Sequence, residues 1–79
     1  MDRVDAIKQR LEEITHHVSS EARMHVHLAI QQLSQPKPLQ LRNIAAAIVA
    51  LDSAAQAEKQ QELKQYLSQL GQHLGHALS

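Results

Sequence analysis

Cysteine, phenylalanine and tryptophan are all missing from the 79-residue chain, and Tyr66 is its single aromatic residue. Without cysteine there is no disulfide, no thiolate zinc site and no thiol nucleophile. Without aromatic rings beyond one, a core must be assembled from Leu, Ile, Val, Met and Ala, which bury less area per residue. Glycine and proline occur twice each, so the chain carries little backbone punctuation. No run approaches the roughly 18 apolar residues of a membrane-spanning helix. The longest apolar stretch, NIAAAIVAL at residues 43–51, is bounded by Arg42 and Asp52. The opening MDRVDAIKQRLEE is charged from its second residue and has no apolar signal core. These lacks set the expectation of a soluble, cytoplasmic protein with no membrane partner.

Charge of one sign is also lacking. Eight Lys and Arg balance eight Asp and Glu, and neither sign forms a run along the chain. A nucleic-acid partner is disfavoured, because a phosphate backbone is held by concentrated positive charge. A chain this short has a marginal core and usually needs a staple. With disulfides excluded, the expected staple is a second chain.

Helical periodicity dominates what remains. Val4, Ile7, Leu11, Ile14 and Val18 recur at alternating steps of three and four, one narrow stripe of a helix. Asp2 and Asp5 lie in its first turn, where the macrodipole favours acids. The stripe continues to Ala22, Val26, Ala29 and Leu33, with a stutter at which Ser19-Ser20 is the expected kink. The prolines of QPKP remove backbone donors and break the helix at residues 35–38. Beyond them Leu41, Ile44, Ile48, Leu51 and Ala55 form a second stripe, and Leu63, Tyr66, Leu67, Leu70, Leu74 and Leu78 a third. The last two are offset by about 100° on an ideal helix, so a bend or restart is expected near Asp52. Ser53 and Gln56 have the spacing of a capping box for such a restart.

Chemistry is sparse. In MHVHLAI, residues 24–30, a strand would place His25 and His27 on one face as a ligand pair. No other segment has strand periodicity to pair with it, and on a helix the two histidines diverge by about 200°. The helical reading instead aligns Glu13, His17, Glu21 and His25 at successive i, i+4 positions. Such a ladder could respond to pH or chelate a divalent metal, with His17, Glu21 and His25 as candidate ligands. His25 falls at the centre of an apolar arc of Ala22, Val26, Leu28, Ala29 and Leu33, which places it in the core or an interface. Glu13 and His16 spell the E-x-x-H of di-iron bundles, but no second copy exists. His73 and His76 lie three apart near the C-terminus. Gly71 and Gly75 have the spacing that lets helices approach closely, and either would also suit a C-cap. No acid–histidine–serine set or Gly-rich phosphate loop is present, so neither catalysis nor a cofactor is expected.

The alanines around residues 43–50 give that helix apolar character on nearly every side, implying more than one covering neighbour. The sequence therefore predicts a single all-α domain: helix one over residues 2–34, a turn at 35–38 and helix two over 39–77. Two such antiparallel hairpins would dimerise into a four-helix bundle through Ala22, His25, Ala29, Leu33, Leu41, Ile44, Ile48, Leu51, Tyr66 and Leu70. The alternative is a monomeric bundle of three or four shorter helices broken at the same bends. The expected function is that of a helical protein-interaction module, an adaptor, chaperone-like or regulatory subunit that binds itself and another protein. A histidine-dependent metal or pH sensor, and a nucleic-acid regulator built from a hairpin dimer, are the alternatives.

Overall fold

The first stripe forms helix α1 (Arg3–Ile14), which buries Val4, Ile7, Leu11 and Ile14 and carries Asp5 in its first turn. It stops without proline or glycine. The Thr15 hydroxyl donates to the Leu11 carbonyl at 2.8 Å, beside the helical bond that the Thr15 N–H still makes to the same oxygen. His17 N–H then tightens back onto the Ile14 carbonyl at 2.8 Å, and Ser19 is extended, with φ −64° and ψ 160°. Helix α2 (Ser20–Leu33) follows and buries Ala22, Val26, Ala29 and Leu33. The computed structural model describes residues 3–36 and 38–76. The expected helix ends at residues 2 and 77, Lys37 of the turn and Leu78 of the last stripe lie outside them.

The turn before helix α3 (Leu41–Ala57) falls at the prolines, as the sequence predicts. Asn43 at the third helical position accepts the Gln40 N–H through Oδ1 at 3.3 Å, which occupies one of the donors a helix start leaves orphaned. The same carboxamide donates to Gln32 Oε1 at 3.0 Å, tying α3 to α2. Helix α3 runs through Asp52 and Ser53 unbroken. Its end comes later than expected, at residues 58–60, and helix α4 (Gln61–His76) begins beyond them. Ser53 and Gln56 do not cap a restart; Gln56 instead bonds Asp52 one turn back at 3.0 Å.

Two long bent helices are thus replaced by four shorter ones, packed in a body of 33 × 21 × 20 Å. Helix α2 packs most extensively on α3, α3 on α4, and α1 against both α2 and α4. Small side chains let the central pair approach: Ala22 and Ala29 of α2, and Ala47 and Ala54 of α3, are fully buried. Leu11, Leu33, Leu51, Leu67, Leu70 and Leu74 fill the remaining interior. Burying each contributes about 1.5–3 kcal/mol. Tyr66 sits at the margin, half-buried against the core.

Candidate functional site

The interior accounts for most of the expected dimer contacts. Ala22, Ala29, Leu33, Ile44, Leu51 and Leu70 are buried within the single chain, while His25, Ile48 and Tyr66 are half-buried and Leu41 is 67% exposed. The alanine-rich segment is likewise covered on one side only, since Ala45, Ala46 and Val49 face solvent. What stays open is a stripe along α3. Leu41, Ala45, Ile48 and Val49 stand at i, i+4, i+7 and i+8, a spacing that gathers them toward one side of a helix. Val49, 65% exposed, borders a shallow groove of about 450 Å³ lined by Ile48, Val49 and Asp52 of α3 and Leu67, Ser68, Gly71 and Gln72 of α4. Asp52 is its sole charged wall residue.

Gly71 lines this groove, and neither glycine of α4 is demanded by internal packing. A Cβ at Gly71 would meet Leu51 Cβ at 3.8 Å, an ordinary contact, and one at Gly75 would meet nothing within 4 Å. Both lie inside α4 and cap no helix. Two further apolar side chains are exposed on α2, Met24 at 62% and Leu28 one turn on.

The histidines do not assemble. The break at residues 15–19 falls across the Glu13, His17, Glu21, His25 ladder, and His16 of the E-x-x-H pattern lies beyond the end of α1. Among the described residues no group of three or more His, Asp or Glu could hold a metal ion. His25 is half-buried and not at the centre of the apolar arc. That centre is Ala22, Val26, Ala29 and Leu33, and Leu28, expected within it, is exposed. His27 is exposed. His73 and His76 stack edge to face with ring centroids 6.3 Å apart.

Pairing of α1 with α4 brings together basic side chains that the linear sequence keeps apart. Arg3 and Arg10 of α1 and His73 and His76 of α4 line one cleft of about 410 Å³, with Ala6, Ile7 and Leu70 as its apolar lining. A second depression at the other end of the same seam is lined by Arg10, Glu13, Ile14, His17, Leu63 and Tyr66.

One ionisable group stands apart. Glu58, 2% exposed, is the only buried charged residue among those described. Its Oε1 accepts the Ser19 N–H at 2.7 Å, and its Oε2 accepts those of Lys59 at 3.0 Å and Gln60 at 3.1 Å. Burial raises the carboxyl's pKa, but the backbone bonds from Ser19, Gln60 and Lys59 outweigh it and leave the group below its ordinary value. The Ser19 hydroxyl lies near enough to add a smaller stabilisation, although it is buried and lacks a partner of hydrogen-bond geometry. On the other side of the α1–α2 connector, Arg23 donates to the carbonyls of Thr15 at 3.0 Å and Val18 at 3.2 Å. These bonds satisfy acceptors that the helix break leaves open. In the sequence Glu58 falls between the α3 and α4 stripes and belongs to neither. The available signal was an acid just ahead of the Leu63 to Leu74 stripe, where a helix start favours negative charge.

No protein-family model matches the chain, and neither a curated protein nor a solved structure shows significant similarity to it.

Proposed function

We propose that this chain is a small, non-enzymatic protein-interaction module that acts in the cytoplasm, pairs with itself and receives an apolar helix of another protein along the α3–α4 groove. The observation that carries this reading is the exposure of Leu41 and Val49 on one helix, beside a groove with a single charge. Scattered exposed leucines are ordinary on a protein surface. Here the exposed side chains share a helical stripe with Ala45 and Ile48 and adjoin small residues, Ser68 and Gly71, which leave room for an incoming side chain. An amphipathic helix docks in such a groove through anchors one or two turns apart. No helix among the described residues is long and apolar enough to cross a membrane, and the break at residues 15–19 separates His17 from Glu21 and His25.

The test is cross-linking capture from the native cell extract, with the wild-type chain beside Val49→Asp and Leu41→Asp. Both substitutions fall on solvent-exposed positions and should leave helicity unchanged. A partner retained by the wild type and lost by both variants is the expected result. Equal capture by all three would overturn the role of the groove.

A further inference from the structure

The α1–α2 connector is bent although it holds no residue that breaks a helix. Residues 15–19, THHVS, contain neither glycine nor proline. The buried positions on its two sides, Val4, Ile7, Leu11, Ile14, Val18, Ala22, Val26, Ala29 and Leu33, keep steps of three and four straight through it. That register would put every one of them on one face of an uninterrupted helix. The second connector differs, because the stripes of α3 and α4 are offset and would diverge if residues 58–60 became helical. Only the first elbow can straighten without moving its apolar residues to the wrong face.

The bond pattern fits a hinge held from outside. Glu58 accepts from Ser19 N and Arg23 donates to the carbonyls of Thr15 and Val18, so groups beyond the connector stabilise its bent form. The bent form keeps Ser19 Oγ buried beside the Glu58 carboxylate but outside hydrogen-bond geometry. In a continuous helix that hydroxyl reaches the carbonyl four residues back, as Thr15 already does with Leu11. Straightening further restores the i, i+4 ridge of Glu13, His17, Glu21 and His25.

We propose that α1 is an exchangeable helix: the elbow straightens, and α1 of each chain packs in the seam against α4 of a second copy. Length makes exchange a requirement. A continuous helix over residues 3–33 is about 45 Å long at roughly 1.5 Å per residue, whereas the closed chain spans 33 Å. Straightening therefore pulls α1 away from its own α4 and uncovers Val4, Ile7 and Leu11. An identical seam on a second copy covers them, and twofold exchange satisfies both chains. This deepens the self-pairing part of the proposed function and does not involve the α3–α4 groove.

The experiment measures dimerisation by light scattering after size exclusion for wild type, Glu58→Gln and Ser20→Pro. Spin labels at Gln9 and Gln31, both exposed, report the helix axis. Removing the carboxylate weakens the bent form and should raise the dimer association constant about tenfold. Proline at the first position of α2 suits the bent form, since Ser19 is already extended, but breaks a continuous helix; Ser20→Pro should remain monomeric. In the dimer the labels should lie about 33 Å apart and clearly closer in the monomer. A dimer that keeps the monomer's label distance, or one formed equally by Ser20→Pro, overturns exchange while self-pairing stands. Monomers throughout, including folded Glu58→Gln, overturn both. Should Glu58→Gln not fold, the comparison of wild type with Ser20→Pro decides the matter by the same two readouts.

Discussion

Glu58 and Ser19, 39 residues apart, are joined by a 2.7 Å hydrogen bond from the Ser19 N–H to the buried carboxylate. This bond ties the α1–α2 connector to the α3–α4 connector, so the two breaks that turn a hairpin into a four-helix body share one anchor. The remaining oxygen holds Lys59 and Gln60, which fixes where α4 starts. The first prediction is that Glu58→Ala destabilises the chain by about 2–4 kcal/mol, because three backbone donors lose a charged acceptor. Glu58→Gln, which keeps the volume but replaces one acceptor with a donor, should cost about 1–3 kcal/mol. Urea denaturation followed by helical circular dichroism measures both, and losses below about 0.5 kcal/mol, the range of ordinary surface changes, would contradict the anchoring role.

Acid should act on the same group. Since the folded-state pKa of Glu58 lies below its ordinary value of 4.5, its contribution is complete above that value and is lost as pH falls through the lowered folded pKa. The urea midpoint of the wild type should therefore hold between pH 7 and about 5 as far as this group is concerned, then fall more steeply than that of Glu58→Gln. Parallel pH profiles for the two proteins would show that the carboxylate's charge is not what holds the connectors.

Gly71 offers a separation of stability from binding. Alanine is favoured over glycine in a helix interior by about 0.8–1 kcal/mol, and the added methyl would meet only Leu51 Cβ at 3.8 Å. Gly71→Ala should stabilise the chain by about 0.5–1 kcal/mol. The same methyl narrows the groove beside Val49, so capture of a groove partner should weaken in this more stable variant.

The α2–α3 seam should resist enlargement. Ala29 and Ala47 are fully buried where these helices approach most extensively. Ala29→Leu or Ala47→Leu should cost about 1–3 kcal/mol through overpacking. At exposed Ala46, the same change should remain within about 0.5 kcal/mol, and thermal melts of the three variants test the contrast.

Much of the fold was legible in the sequence. The stripe from Val4 to Leu33 identified its buried residues, and QPKP located the central turn. Periodicity reports which face of a helix is apolar but not whether the helix is continuous. A stripe that keeps register across a bend therefore looks like one long helix. The stutter at Ser19-Ser20 marked the place of a kink, but the bend at residues 15–19 is held by Glu58 from 39 residues away and by Arg23 from the next helix, bonds that periodicity does not announce. The candidate site was harder to read. Leu41 was placed in an interface from the pattern, but Val49 and Met24 emerged only once the chain was seen to cover its other apolar positions itself. The cluster of Arg3, Arg10, His73 and His76 depended in the same way on pairing two helices from opposite ends of the sequence.

Tyr66, the chain's one aromatic ring, lines the seam between α1 and α4 beside Ile14, His17 and Leu63. Any event that lifts α1 from that seam changes the ring's solvent exposure. A protein without tryptophan is usually a poor subject for intrinsic fluorescence, yet this one carries a single tyrosine at the contact that the proposed exchange of α1 would open. Tyrosine emission, followed during dilution, mixing or a temperature jump, gives a label-free clock for the movement of the first helix.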